Sequence, residues 1–169
     1  MTALETLLAI EGIRKTKAAY WYALDTKRWD RLAEAFTPDA IMDFRGGRDL
    51  KPGEDHARLV PVEQAAAAGD PLAVQGAAAI AAAIRDRVET WVTVHHGANP
   101  VIDLTGPDTA AVIWPFFDLL DNGETVQRGY GHYHESYRYD GMAWRIHRMR
   151  VTRLRIDGDH PLHGPRDRP

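Results

Sequence analysis

Cysteine is absent from the 169 residues of this chain. That excludes disulfides, a thiolate nucleophile and thiolate metal ligands. A dominant charge is missing too: 21 Lys and Arg stand against 24 Asp and Glu, a formal net charge of −3. Nucleic-acid surfaces need a basic excess that this balance does not supply. The one basic run, "RIHRMRVTRLR" at 145–155, reads as a strand with its basic residues on the outer face. No apolar run reaches membrane-spanning length. The opening "MTALETLLAIEGIRKTK" lacks the basic start and uninterrupted apolar core of a signal peptide. A cytoplasmic protein with no membrane or nucleic-acid partner is expected. There is also no phosphate-cradling glycine loop, no GxSxG elbow and no nucleotide fingerprint.

What is present suits one compact domain: 44% of residues are hydrophobic and 27% charged. A helix is predicted from Thr2 to Leu24, with Leu7, Ile10, Ile13, Tyr20, Trp21 and Leu24 on one stripe and Lys17 interrupting it. Thr2 and Glu5 have capping-box spacing. "KRWDRLAEAF" reads as a second helix broken by Pro38, and "AIMDF" as a short strand. Residues 48–75, interrupted by Pro61, Gly69 and Pro71, read as an insertion forming a broken helical lid. "GAAAIAAAIRDRVETW" is a clearer helix. Four strand candidates follow: "WVTVHHGANPVIDL", "TAAVIWPFFDLLD", "ETVQRGYGHYHESYRYD" and "AWRIHRMRVTRLRID". Asn122-Gly123 and Asp140-Gly141 between them are hairpin signals. Helices first and a meander last mean α+β, with helices packed on a curved antiparallel sheet. The expected organisation is a single domain over 1–157 and a tail, 158–169, that is flexible or clasped by a neighbouring subunit.

Several side chains carry potential chemistry. Asp25 ends the first helix, where a carboxylate opposes the helix dipole unless a partner offsets it; a solvated helix end is the alternative. If "TVHH" is a strand, His95 shares a face with Trp91 and Thr93, and His96 with Val92 and Val94. The first face is mixed aromatic and polar, as pocket walls are, so the pattern leans towards His95. Asp118 alternates with Trp114 and Phe116. Buried there it needs a partner, whereas near a strand end it is merely solvated. His132 and His134 share a strand face and could share a metal, but no third ligand has an evident position, and two strand histidines on an open face explain the pair more cheaply. No metal is expected.

"AIEGIRKTKAAYWYALDTKRWDRLAEAFTPDAIMDF", the Ala-rich helix, "TVHHGANPVID" and the terminal "YRYDGMAWRIHRMRV" together resemble the SnoaL-like branch of the nuclear transport factor 2-like superfamily. The resemblance spans most of the chain, leaving out roughly 48–75 and the last dozen residues. Within the branch the likeness is nearest to the bile-acid 7-alpha-dehydratases, and more distant to the scytalone dehydratases and hexachlorocyclohexane dehydrochlorinases.

The resemblance implies a cone-shaped α+β barrel and a cofactor-free lyase. It implies His95 as base, Asp25 orienting it, and Tyr20 and Asp118 as further catalytic residues, either of which would protonate the leaving hydroxyl. Arg153 matches a pocket arginine. Phe44 stands where the dehydratases have a tyrosine, so one hydroxyl is missing. Trp21, Trp91, Trp114, Phe116 and Tyr133 complete the expected substrate-binding set, which suits a hydrophobic, polycyclic steroid- or polyketide-like molecule. The expected function is therefore a dehydratase working by proton abstraction. A polyketide cyclase or an isomerase with the same His–Asp pair is one alternative, and a non-catalytic ligand-binding or subunit-association domain is another. A homo-oligomer is expected, a trimer ahead of a dimer.

Overall fold

The computed structural model describes residues 1–48 and 60–158. Its first element, α1 (Ala3–Asp25), begins in a capping box: Thr2 Oγ1 accepts the Glu5 N–H at 3.2 Å and Glu5 Oε2 accepts the Thr2 N–H at 2.7 Å. There follow α2 (Trp29–Glu34), β1 (Phe36–Asp43), α3 (Arg45–Arg48), α4 (Val62–Ala67), β2 (Ala73–Gln75) and α5 (Ala77–Val88). The chain then runs through β3 (Val92–Gly97), β4 (Val101–Leu104), β5 (Thr109–Asp121), β6 (Val126–Tyr139) and β7 (Trp144–Asp157). No helix among the described residues is long and apolar enough to cross a membrane.

The strands form one curved sheet in the order β2-β1-β7-β6-β5-β3, with β4 also on β5. The sheet does not close, and it is mixed rather than antiparallel throughout, because β1 runs parallel to β7. The reason is topological. Hairpin turns force antiparallel pairing on β5–β6–β7, whereas β1 meets the last strand with most of the chain between them, so no tight turn fixes its direction. Both expected hairpins form. Asn122 Oδ1 accepts the Thr125 N–H at 2.8 Å and Asp140 Oδ1 the Ala143 N–H at 2.8 Å, with Gly123 and Gly141 at positive φ.

Two local expectations need correction. The run 91–104 is two strands, not one: Asn99 takes φ 50 and Pro100 follows, so the chain turns and β3 and β4 pair with successive halves of β5. The insertion lies partly outside the described residues (49–59), as does most of the tail (159–169). Its described half is a helix and a strand rather than a broken helical lid. Asp70 Oδ1 accepts the Leu72 N–H at 2.9 Å in the turn after α4, and β2 extends the sheet edge with Ile41 opposite Gln75.

The buried stripe of α1 is Ala9, Ile13, Lys17, Tyr20, Trp21 and Leu24, while Leu7 lies in solvent. Lys17 therefore does not interrupt the stripe; it is the stripe's centre and has no exposed surface. Its Nζ donates to Glu135 Oε1 on β6, and the Tyr137 hydroxyl donates to Glu135 Oε2 at 2.6 Å. The ammonium also sits 3.6 Å from the Tyr133 ring centre and 4.5 Å from that of Tyr20. Burial pushes the Lys17 pKa down to about 8, against the pull of Glu135.

A buried pair of this kind is costly to break from one side, because the survivor keeps its desolvation penalty. Lys17→Met is expected to lower unfolding free energy by about 3–5 kcal/mol in urea titrations, and the double variant Lys17→Met/Glu135→Leu to recover most of that loss. Equal stability of the single variant and the wild type would show that the pair does not hold α1 to the sheet.

Candidate functional site

The end of α1 meets the start of β3 through one carboxylate. Asp25 Oδ2 accepts the His95 backbone N–H at 2.8 Å. Its Oδ1 accepts from the Thr93 hydroxyl at 2.9 Å and from His95 Nδ1 at 2.7 Å. Lys27 Nζ in turn donates to Thr93 Oγ1 at 2.9 Å. The direction of every bond follows from donor inventory. An ammonium can only donate, so Thr93 accepts from it and must give its own proton to Asp25. A carboxylate can only accept, so His95 Nδ1 carries a proton and the lone pair of a neutral ring lies on Nε2. Lys27 reaches this position from the left-handed region at φ 60, which turns the chain sharply after α1.

Burial of Asp25 works against its charge, but the His95 and Thr93 hydrogen bonds outweigh it and hold the carboxyl below its ordinary 3.8. Burial likewise lowers Lys27, opposed by the Asp25 charge.

His95 Nε2 faces β5. Asp118 Oδ2 lies 3.9 Å away, too far for a hydrogen bond. Asp118 is itself gripped by Arg153, with Nη1 2.9 Å from Oδ1 and Nη2 2.7 Å from Oδ2. A fork in which both oxygens accept from a guanidinium is the arrangement of an ionised carboxylate. The expectation that Asp118 serves as proton donor therefore finds no support in the geometry; the Arg153 partner explains why. The guanidinium lies 4.8 Å from the Phe116 ring centre, and Phe116 packs on Tyr133 at 4.4 Å. The β6–β7 register shifts at Gly131, opposite Arg153, the kind of irregularity that re-aims a side chain.

The remaining expected residues divide by depth. Tyr20 lies five residues before Asp25, about 7.5 Å back along α1, edge-on to Phe36 and Tyr133. Burial raises its pKa well above 10, with Tyr133, Glu135 and Asp25 adding to it, so its hydroxyl stays protonated. Tyr133 is raised in the same way by burial and by Asp118. Trp21 crosses Trp114 edge-on at 5.5 Å, and both are buried among these rings. Trp91 is half-buried in the turn before β3. Phe44 is half-buried after β1, under the Arg87 guanidinium at 4.3 Å. His96 is exposed and lies near Phe117 at 6.5 Å, so of the two adjacent histidines only His95 joins the cluster. His132 and His134 are 6.1 Å apart, and His134 Nε2 lies 3.2 Å from Thr152 Oγ1. Among the described residues, no group of three metal-ligating side chains occurs.

The sequence reading missed Lys17, Glu135, Thr93 as a hydrogen-bond donor, Lys27, and Gly129. A signal existed for the last in "RGYGHYH", since glycines alternating within a strand mark close approach. A Cβ on Gly129 would lie 2.2 Å from Arg153 Nη1 and 2.3 Å from Asp118 Oδ1. Gly129→Ala is thus expected to displace the fork and to cost about 1–3 kcal/mol, as crystallography and denaturant unfolding of the variant would show.

A pH effect follows from Asp25. Its folded-state pKa is depressed, so its stabilisation is present above about pH 4 and is lost as pH falls from there through the folded value. Unfolding curves of Asp25→Asn are expected to lack this part of the acid slope; an unchanged slope would mean that the His95 and Thr93 bonds do not form in solution.

Solved structures share this fold, among them the three that follow. One is a candidate scytalone dehydratase from Novosphingobium aromaticivorans DSM 12444, 17% identical, with 99% of each chain covered and a TM-score of 0.73. The second is a LinA-type3 hexachlorocyclohexane dehydrochlorinase from Novosphingobium barchaimii LL02, 15% identical, covering 98% of this chain and 100% of that one at 0.70. The third is an NTF2-like protein with a cystatin-like fold from Novosphingobium aromaticivorans, 19% identical, covering 89% and 85% at 0.65. No curated protein matches the sequence. At these identities the likeness is one of fold. The sequence itself matches the SnoaL-like domain model over residues 5–150, and the chain belongs to that family.

Proposed function

We propose that this protein is a cofactor-independent lyase, a dehydratase in which His95 abstracts a proton from a carbon activated by a carbonyl. The observation that carries this is the hydrogen-bond chain Lys27–Thr93–Asp25–His95, which leaves His95 Nε2 as the one unprotonated nitrogen of a neutral ring and turns it towards Asp118. The scytalone dehydratase and dehydrochlorinase descriptions of the structural neighbours support elimination chemistry on this fold.

Each residue has a role set by its bonds. Asp25 fixes the imidazole tautomer and stabilises the imidazolium once the proton arrives. Asp118, ionised, offers a second stabilising charge at Nε2 and holds Arg153. Arg153 uses two of its five N–H donors on Asp118, and the others are placed to bind a developing enolate oxygen. A dehydration also needs a proton for the departing hydroxyl. The imidazolium can return the proton it took. Tyr20, protonated and one layer deeper, is the other candidate. The aromatic layer of Trp21, Trp114, Phe116 and Tyr133 favours a hydrophobic, polycyclic substrate, with Trp91 and Phe44 at its margin. The homo-oligomer stays part of the proposal, a trimer ahead of a dimer. Val92, Ile113, Val126, Tyr130 and Leu154 are exposed on the strands and suit burial against a second copy.

The test is solvent deuterium incorporation and elimination across a panel of cyclic β-hydroxyketones, read by NMR. His95→Ala and Asp25→Asn are expected to reduce turnover by about 10²–10⁴-fold while remaining folded, and His96→Ala to stay near wild type. Activity retained in His95→Ala would sink the mechanism.

A further inference from the structure

The second half of α1, the segment through α2 and the β6–β7 hairpin border a cleft of about 400 Å³. That size lies in the range of small-molecule sites, about 300–1,000 Å³. None of the residues assigned to proton abstraction lines it. The hollow follows from the side chains around it. Gly12, Thr16, Ala19 and Ala23 recur at helical spacing on one face of α1. At one end of that face α1 rests on Trp144: a Cβ on Gly12 would lie 2.7 Å from its Cδ1, and Thr16 Oγ1 donates to its carbonyl at 2.5 Å. The end of α2 is tied to the same strand, since the Ala35 carbonyl accepts the Ile146 N–H at 2.8 Å. Around the space left over, Ala19, Ala23, Ala35 and Ala143 each carry only a methyl group.

Three guanidiniums line the cleft and differ in what they hold. Arg145 Nε donates to Asp140 Oδ2, and its Nη1 to the Glu34 carbonyl. Arg31 uses only Nη1, on the two Glu34 carboxylate oxygens at 3.2 and 3.0 Å. The Arg28 guanidinium has no hydrogen bond and no ion pair among the described residues; it lies 5.5 Å from the Tyr22 ring centre. Tyr22 is itself 59% exposed, a large ring left uncovered beside the hollow. Glu34 and Asp140 thus answer two of the three cations, and the Arg28 charge is unmatched. Asp30, which also acts on Arg31, is not part of the wall.

We propose that this cleft is a ligand site separate from the His95 cluster, and that it binds a small aromatic carboxylate. The unmatched charge calls for a monoanion. A guanidinium edge presents parallel N–H donors that match the two oxygens of a planar carboxylate. Arg31 Nε and Nη2 also make no bond among the described residues, so further donors border the same hollow. A phosphate dianion exceeds the one unmatched charge and meets the Glu34 carboxylate. The methyl groups, the Trp144 side chain and the Tyr22 ring suit a flat apolar body. The turn that carries Asp25 and Lys27 runs into Arg28, so the site adjoins the segment that positions His95 without sharing its residues.

The test titrates the whole protein with 2-naphthoate, reads affinity by calorimetry and locates the ligand by amide NMR shifts. Wild type is expected to bind with a Kd of about 1 mM or tighter, with shifts centred on Ala19, Arg28 and Ala143. 2-Naphthamide keeps the shape without the charge and is expected to bind about tenfold more weakly. Acetate lacks the apolar body and is expected to lose at least as much. Arg28→Gln is expected to weaken naphthoate about tenfold, and Ala19→Trp, which fills the hollow from an exposed helix position, to abolish binding. Thermal midpoints close to wild type in both variants tie these losses to the cleft rather than to unfolding. Absence of naphthoate binding, equal binding of the naphthamide, or binding that survives both substitutions overturns the proposal.

Discussion

One carboxylate at the end of α1 joins the helical layer to the sheet, and most of the site depends on it. A carboxylate at a helix C-terminus faces the negative end of the dipole. Asp25 is held there because three donors from β3, the His95 backbone, the His95 ring and the Thr93 hydroxyl, converge on it. Each bond has a structural and a chemical consequence. The backbone bond sets the height of α1 against β3. The ring bond chooses the tautomer of His95. The hydroxyl bond, locked by Lys27, keeps Oδ1 from turning away. The contact that assembles the fold at this corner is therefore the one that prepares the proposed base.

A second buried charge does the corresponding work two turns back along the same helix. Lys17 and Glu135 have no exposed side-chain surface, and the ammonium rests on the Tyr133 ring. An apolar pair would satisfy packing at least as well, so the ions are not explained by stability alone. What they do is set register. A lysine on α1 that must meet one glutamate on β6 allows one sliding position of the helix, and Asp25, two turns further on, then meets β3. Charge pairing at these two points fixes the helix more narrowly than its small apolar stripe of Ala9, Ile13, Leu24 and their neighbours could.

Much of this was legible in sequence, and the rest was hidden for identifiable reasons. The α1 capping box, the two hairpin turns and the alternation that separates His95 from His96 are local properties, and local rules found them. The Asp25–His95 pairing was accessible only through the family pattern joined to the dipole argument. Lys17 was misread because a lysine in an apolar stripe is usually a break; its partner lies 118 residues away, and no local pattern points to it. For Asp118 the alternation left burial and solvation both open, and its Arg153 partner was hidden, since that contact forms across β6 between strands not adjacent in the sheet. The parallel β1–β7 pair was hidden because direction follows from the chain's route, not from any turn motif.

The charges around His95 impose one further order. Asp25 bonds Nδ1 and Asp118 faces Nε2, so the ring stands between two carboxylates. Arg153 answers this by taking both oxygens of Asp118, and Lys27 acts on the Asp25 side through Thr93. The cluster thus sets two cations against two anions around one imidazole, with each anion bonded or linked to its own cation. Gly129 is the point where the backbone yields to keep that geometry, because any side chain there would occupy the space of the fork itself.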